Sequence, residues 1–587
     1  MEQKRWKVSG RDVLGCLLLG IGVIMLGRSL MLCFSNDIWY DELFTVGMIE
    51  HSYGELIGFT ARDVHPPLYY IITKAVVDLW KMMDPAVSTV MAAKTVSVLP
   101  YFILLMYGVT LIRKRFGLFT GGLFFFGSIA MPQLSDYTVE VRMYSWALLF
   151  VTAAFLHASC ACLTWSDCVG DNTGHGHEKV EDGVYGAPDS GQKAFRMQRM
   201  HGAALVCYGL AAAYTQYFAC VAVVMIYLYV FLVLIHRDRG RIKEWLLWAA
   251  VSVIGYVPWI YTLYSQITAV SANYWILPLS WRTFGGCVKF LMKPAFTNDR
   301  LSTVLAVFLF GIWLGVFVCE GVKYCCHRRE KQIAGRQIME PAGDDKAVSG
   351  QKDGMTDSAN GFRLMLAGTG VLAGLVLFGY AASVLVRPIF VYRYMIPAMG
   401  CFWLGFAAGL ADLWDTVTVY RKQGNDSGKR LHKYRLCKLG CGLIFFFTVA
   451  VGLRDYRAFM GEEEYKILLM KQTEEALSSI APDDIVLYNF DQVQAVTSYY
   501  LAEETDSYLW RGTPEILIQD IIRPYASAEE TEQIRFWCEE GRTVWFIGSF
   551  NSRDDIVAEW AADGIRAEET GSYLLERYWF NLYKISI

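Results

Sequence analysis

Pro66-Pro67-Leu68-Tyr69-Tyr70-Ile71-Ile72-Thr73-Lys74-Ala75-Val76-Val77-Asp78-Leu79-Trp80-Lys81-Met82-Met83 has the length and apolar content of a membrane span, yet it carries three charges. The topology turns on it. If it crossed, every later loop would invert. Lys74, Asp78 and Lys81 are costly inside hydrocarbon, so the segment reads as an interfacial or re-entrant helix on the outer membrane face. The prolines fit a helix start: the first turn loses no hydrogen bond to a missing N–H.

With that segment held on one face, the remaining apolar runs define spans near 12–34, 88–112, 117–132, 144–165, 200–217, 219–236, 244–263, 301–321, 363–386, 395–414 and 437–453. That is about eleven helices of bilayer length. Starting with the N-terminus inside, the basic clusters at Arg113-Lys114-Arg115, Arg237–Lys243, Lys323–Lys331 and Arg421–Lys438 all fall inside, as positive charges do. Loops 35–87, 133–143, 264–300 and 387–394 fall outside. The basic N-terminal MEQKRWKVSGR precedes the first run without a small-residue cleavage site, which predicts an uncleaved first span.

Composition agrees. The 587 residues are 54% hydrophobic and 15% aromatic with 19% charged, too apolar for a soluble chain of this length. A net charge of −3 gives no general field for nucleic acid. The fifteen cysteines form no disulfide framework and show no zinc spacing; Cys325-Cys326 are adjacent, and Cys437 and Cys441 lie four apart. Two hydrophilic inserts, 166–198 and 327–361, read as cytoplasmic loops, and His175 and His177 read as part of a solvated one. Residues 454–587 alternate helix-like and strand-like segments, with strands at Ile485–Tyr488 and Thr543–Ile547 and helices near 462–480, 491–502 and 528–540. They predict a small extracytoplasmic α/β domain after a membrane domain of 1–453.

The outer segments concentrate the chemistry. Asp37-Ile-Trp-Tyr-Asp41-Glu42 follows the first span, and Asp63-Val-His65-Pro66-Pro67-Leu-Tyr69-Tyr70 opens the interfacial helix. Adjacent acids supply a general base for an acceptor hydroxyl, or bind a divalent cation with Asp63 or His65, or form the acidic first turn of a helix over 41–50. In Ser135–Tyr144 the spacing predicts a helix with Asp136, Glu140 and Tyr144 on one face and Arg142 turned into a cavity, where its fork suits a phosphate; an interfacial anchor is the alternative. Arg387, Arg393 and Tyr394 stand just outside the ninth span. Lys94 sits about 9 Å into the second, and either snorkels outwards or meets a leaving phosphate. Lys293 and Tyr274-Trp275-Ile-Leu-Pro278 lie in loop 264–300.

Taken together, the Asp41-Glu42 pair, the Asp63-to-Tyr70 helix start, Glu140-Val-Arg142-Met-Tyr144 and Arg393-Tyr394 resemble the bacterial GT-C glycosyltransferases. The similar branch is that of protein O-mannosyltransferases and aminoarabinose transferases, which use polyprenyl-phosphate sugars. The resemblance implies an all-α polytopic membrane domain and sugar transfer outside the cytoplasm. Asp41 becomes the general base, with Glu42 beside it. Asp63, His65 and Tyr69 shape the acceptor pocket. Arg142, Arg393, Lys94, Tyr144 and Tyr394 face the donor phosphate. Tyr214-Thr215-Gln216-Tyr217 departs from the Tyr-Thr-His of relatives, and Gln216 carries no proton.

The implied enzyme moves a sugar from a polyprenyl-phosphate donor to a hydroxyl of an envelope glycan, lipid or protein, with inversion. The sequence names no certain cofactor, and a divalent cation stays open. A transporter or flippase of lipid-linked sugars, and a polymerase or ligase using a diphosphate donor, are the competing readings. No internal repeat favours the transporter.

Overall fold

In the computed structural model, residues 9–162, 189–269, 278–337, 360–422, 428–513, 516–575 and 578–587 are described. His175, His177, Tyr274 and Trp275 lie outside them. The chain divides into two compact units. One comprises residues 1–27, 99–138 and 143–456; the other comprises 28–98, 139–142 and 457–587.

The first unit is a helical bundle, and the chain is a multi-pass membrane protein. Among the described residues nine helices are long and apolar enough to cross a bilayer. All eleven predicted apolar runs are helical, but two fall short as spans. Leu118–Ala130 has 13 residues, and Asp189–Ala213 begins with a polar stretch. Helix Leu118–Ala130 is nonetheless buried from Phe119 to Ala130. A Cβ on Gly122 would strike the Gly15 carbonyl, and one on Gly121 the Gly108 carbonyl, so bare glycine backbones let three helices touch.

The second unit holds the segments around Asp41, Asp63, Lys94 and Arg142. After α1 (Gly10–Leu32), the outer segment forms α2 (Tyr40–Glu50), α3 (Tyr53–Arg62) and α4 (Leu68–Met83), before α5 (Thr89–Tyr107). The predicted helix at 41–50 is α2. Helix α4 is the deciding segment: 16 residues, with Pro67 at its N-cap, and not among the candidate spans. At helical rise it covers about 24 Å, short of a hydrocarbon core of roughly 30 Å. Ser52 caps α3 by accepting from the Glu55 N–H, while the Glu55 carboxylate accepts from the Ser52 N–H at 3.0 Å.

The tail forms the predicted α/β fold. Strands β1 (Ile485–Tyr488), β2 (Asp506–Trp510), β3 (Ala526–Ala528), β4 (Val544–Ser549), β5 (Arg566–Leu575) and β6 (Tyr578–Ser586) make one sheet in the order β3-β2-β1-β4-β6-β5. The first four are parallel; β6 pairs antiparallel with β4 and β5. Strands β1 and β4 are buried throughout, which is why both read as unbroken apolar runs. Trp560 is wholly buried, edge-on to Trp510 at 5.1 Å and to Phe546 at 4.9 Å. The helix expected from 462 is the end of a continuous helix, Gly428–Leu477.

One expectation fails. Ser135–Tyr144 is not a helix, so Asp136, Glu140 and Tyr144 share no helical face. A 3-10 turn at Asp136–Thr138 leads into irregular backbone, and the helix starts only at Tyr144. Gln133 has φ of 67°, and the β-branched Val139 and Val141 favour extended backbone. Side chains satisfy the backbone instead. Ser97 donates to the Glu140 carbonyl at 2.6 Å, and the Val141 N–H donates to the Glu42 carboxylate at 2.8 Å.

Candidate functional site

In the second unit, α2 sets out two adjacent carboxylates in different environments. Glu42, in the first turn, is 5% exposed. One of its oxygens accepts from the Val141 N–H at 2.8 Å and the other from the Trp39 N–H at 3.3 Å. It caps the helix and ties it to loop 139–142. Asp41 has a side chain 22% exposed, and its Oδ2 lies 3.8 Å from Nη2 of Arg142. The buried Arg142 donates a shorter bond, 2.9 Å, to the Asp41 main-chain carbonyl. Arg142 thus holds the start of the helix that carries Asp41. Residue type alone did not separate these two acids, and the resemblance made Asp41 the base with Glu42 beside it; burial gives them different surroundings.

The α3–α4 turn brings the other pair together. Asp63 Oδ2 lies 3.0 Å from Nδ1 of His65, with both side chains largely buried. The contact orients the ring and makes Nδ1 the site of its hydrogen bond. Tyr69 and Tyr70 follow on α4 with rings edge-on at 5.4 Å. Burial pushes both phenols well up from the usual value, although the charge of Arg142 acts in the opposite sense on each. Both therefore stay protonated where a carboxylate titrates, so neither is the base. The charges of Asp63 and Asp41 also act on Tyr70, which links the two acidic positions around one ring. Among the described residues the Tyr70 hydroxyl is buried without a hydrogen-bond partner.

Lys94 does not snorkel. Its ammonium is buried 2.7 Å from Asp37 Oδ1 and 3.1 Å from the Ser35 hydroxyl, which itself stands 2.6 Å from Asp37. Sequence reasoning placed Asp37 in the acidic segment but gave it no partner. The contact joins positions 57 apart in the chain, and no local spacing reveals it. Among the described residues no three His, Cys, Asp or Glu side chains gather as a metal-ligand set.

Tyr144, Arg393 and Tyr394 belong to the first unit. Tyr144 is buried, with its ring 5.0 Å from Tyr137. Arg393 and Tyr394 lie in a 3-10 turn over Tyr392–Met395, and Tyr394 stacks on Phe218 at 4.6 Å. Gln216, two residues before Phe218, caps helix Tyr217–Arg237; both polar atoms of its side chain are buried without a partner among the described residues. Lys293 bonds Asp299 at 2.5 Å, an exposed ion pair.

The fold is similar to that of a solved structure, ArnT from Cupriavidus metallidurans in the apo state: 12% identity, 97% of each chain covered, TM-score 0.51. ArnT from the same organism bound to undecaprenyl phosphate aligns at 11% identity over 97% of this chain and 98% of that one, TM-score 0.49. No family model and no curated protein matches the sequence.

Proposed function

We propose that the chain is a membrane glycosyltransferase that moves a sugar from a polyprenyl-phosphate donor to an acceptor hydroxyl outside the cytoplasm. The observation that carries this reading is the division of labour on α2. Glu42 is buried and accepts from two backbone N–H groups, and Asp41 is the more exposed carboxylate of the two, on a helix start held by Arg142.

The chemistry follows from that arrangement. The acceptor oxygen attacks the anomeric carbon from the face opposite the phosphate, and the carbon–oxygen bond to phosphate breaks. Polyprenyl phosphate leaves with that electron pair, and Asp41 takes the acceptor proton, which gives inversion. A phosphate leaves without a strong acid, so catalysis reduces to a base, cations at the phosphate and alignment. Arg142 serves Asp41 as a positioning residue. Lys94, held by Asp37, fixes the segment that precedes α2. Asp63, His65, Tyr69 and Tyr70 shape the acceptor side. Arg393, Tyr394 and Gln216 are our candidates for the donor phosphate; the Gln216 amide can donate a hydrogen bond although it cannot carry a proton. The N-terminus is cytoplasmic and residues 454–587 are extracytoplasmic in this reading.

The test is transfer from a radiolabelled polyprenyl-phosphate sugar by the purified protein. Product from wild type and none from Asp41→Asn is expected. Transfer only from a diphosphate-linked donor would favour the polymerase or ligase, and transport without transfer the flippase.

A further inference from the structure

Helix α2 also walls a cavity that lies wholly within the second unit. Leu43, Val46, Gly47 and Glu50 fall three and four apart, on one face of the helix, and line a space of about 810 Å³. Its other walls come from the stretches 498–508 and 522–526 of the tail. Arg523 braces them by donating to the Ala502 carbonyl at 3.0 Å. Glu50, Glu503, Glu504 and Asp506 place carboxylates on the wall, and all four residues are exposed. Asp506 is paired with Arg542 at 2.8 Å. Tyr499, Tyr508 and Tyr525 add flat rings. Thr505, 4% exposed, adds a hydroxyl with no hydrogen-bond partner among the described residues.

Among the described residues no three Asp, Glu, His or Cys side chains gather as a metal-ligand set, so these carboxylates do not converge on one cation. Spread out, they accept hydrogen bonds from several separate donors, while the Thr505 and tyrosine hydroxyls both donate and accept. A sugar chain matches that wall. Each of its hydroxyls donates and accepts, and its C–H faces pack on rings. The ammonium groups of a basic peptide only donate, and an acidic glycan brings like charge to the carboxylates. The volume suits a ligand cleft, which holds about 300–1,000 Å³. Asp41 lies near the start of the same helix, roughly 14 Å from Glu50 along its axis at helical rise. A ligand that fills the cavity and reacts at Asp41 is therefore a chain of sugars, not a single one. We propose that the cavity docks a neutral acceptor glycan at a distance from the hydroxyl that reacts; the docking stands on the cavity's own chemistry, and its link to transfer rests on Asp41 as the base.

The experiment measures fluorescence anisotropy of labelled mannohexaose, chitohexaose, hexagalacturonate and hexalysine with the full chain in detergent. Wild type should bind at least one of the two neutral hexasaccharides, and more tightly than hexagalacturonate. Glu503→Ala combined with Glu504→Ala should weaken that binding about tenfold or more, the worth of one hydrogen bond to a charged group. Ala526→Trp should block it with every carboxylate in place, because Ala526 lines the cavity and is exposed at the start of β3. Both variants should melt like wild type. Asp41→Asn should bind the glycan as wild type does, which separates docking from transfer: a chain that binds glycan yet transfers no sugar overturns the transfer reading and leaves the docking site standing. Binding of neither neutral hexasaccharide would overturn the proposal. So would hexagalacturonate binding as tightly, hexalysine binding alone, or neutral-glycan binding unchanged in both cavity variants.

Discussion

Adjacent carboxylates on α2 should respond in opposite ways to loss of charge. In Glu42→Gln the side chain keeps one acceptor oxygen and turns an NH₂ towards an N–H that the carboxylate had satisfied. Hydrogen bonds to a charged group contribute about 1.5–3 kcal/mol, and leaving a buried N–H unmet costs about 1–3 kcal/mol. Since Glu42 is 5% exposed, the expected loss of stability is about 2–4 kcal/mol. In Asp41→Asn the lost ion pair spans 3.8 Å and the carboxylate is 22% exposed, so screening leaves about 0–1 kcal/mol. Activity should run the other way: removal of a general base lowers turnover about 10²–10⁴-fold. Thermal unfolding in detergent, followed by tryptophan fluorescence, and transfer assays per folded molecule measure the two effects. Glu42→Gln should melt lower and keep measurable turnover; Asp41→Asn should melt like wild type and lose it. Full transfer by Asp41→Asn, or an unchanged melt for Glu42→Gln, would refute the assignment.

Other outcomes follow from the same geometry. Lys94→Met alone strands a buried Asp37 and should cost about 3–5 kcal/mol, while Lys94→Met with Asp37→Leu should recover most of that in the melt. Tyr70→Phe should leave the midpoints of the pH–rate profile in place, because burial keeps the phenol protonated through that range; a shifted acidic limb would contradict this. Gly47→Ala brings a Cβ against the Ile521 carbonyl and should destabilise by about 1–3 kcal/mol, seen as faster proteolysis near residue 521. Trp560→Ala empties the centre of the sheet's core and should cost about 3–5 kcal/mol in chemical denaturation.

Much of the fold was legible because it rests on local patterns. Apolar runs gave the helices, α4 among them, although three charges set its sequence apart from the longer runs. The unbroken runs at β1 and β4 announced buried strands, whereas β2 and β3, short and partly polar, went unread, as did the hairpin of β5 and β6. The helix expected over 135–144 failed for a different reason: its backbone groups find partners at Ser97 and Glu42, far away in sequence.

Residue types and their order along the chain were enough to determine a polytopic membrane protein with an α/β tail, and to single out Asp41, Glu42, Asp63, His65 and Arg142. Hydropathy and charge act over a few residues and survive in the linear text. Only the tertiary structure decided what each group does, because burial and pairing depend on segments brought from elsewhere. Glu42 is consumed by backbone N–H groups, Lys94 is neutralised by Asp37, and Arg142 grips the main chain at Asp41. Asp41 keeps its carboxylate accessible, and this distinction between neighbouring acids is one that no spacing in the sequence encodes.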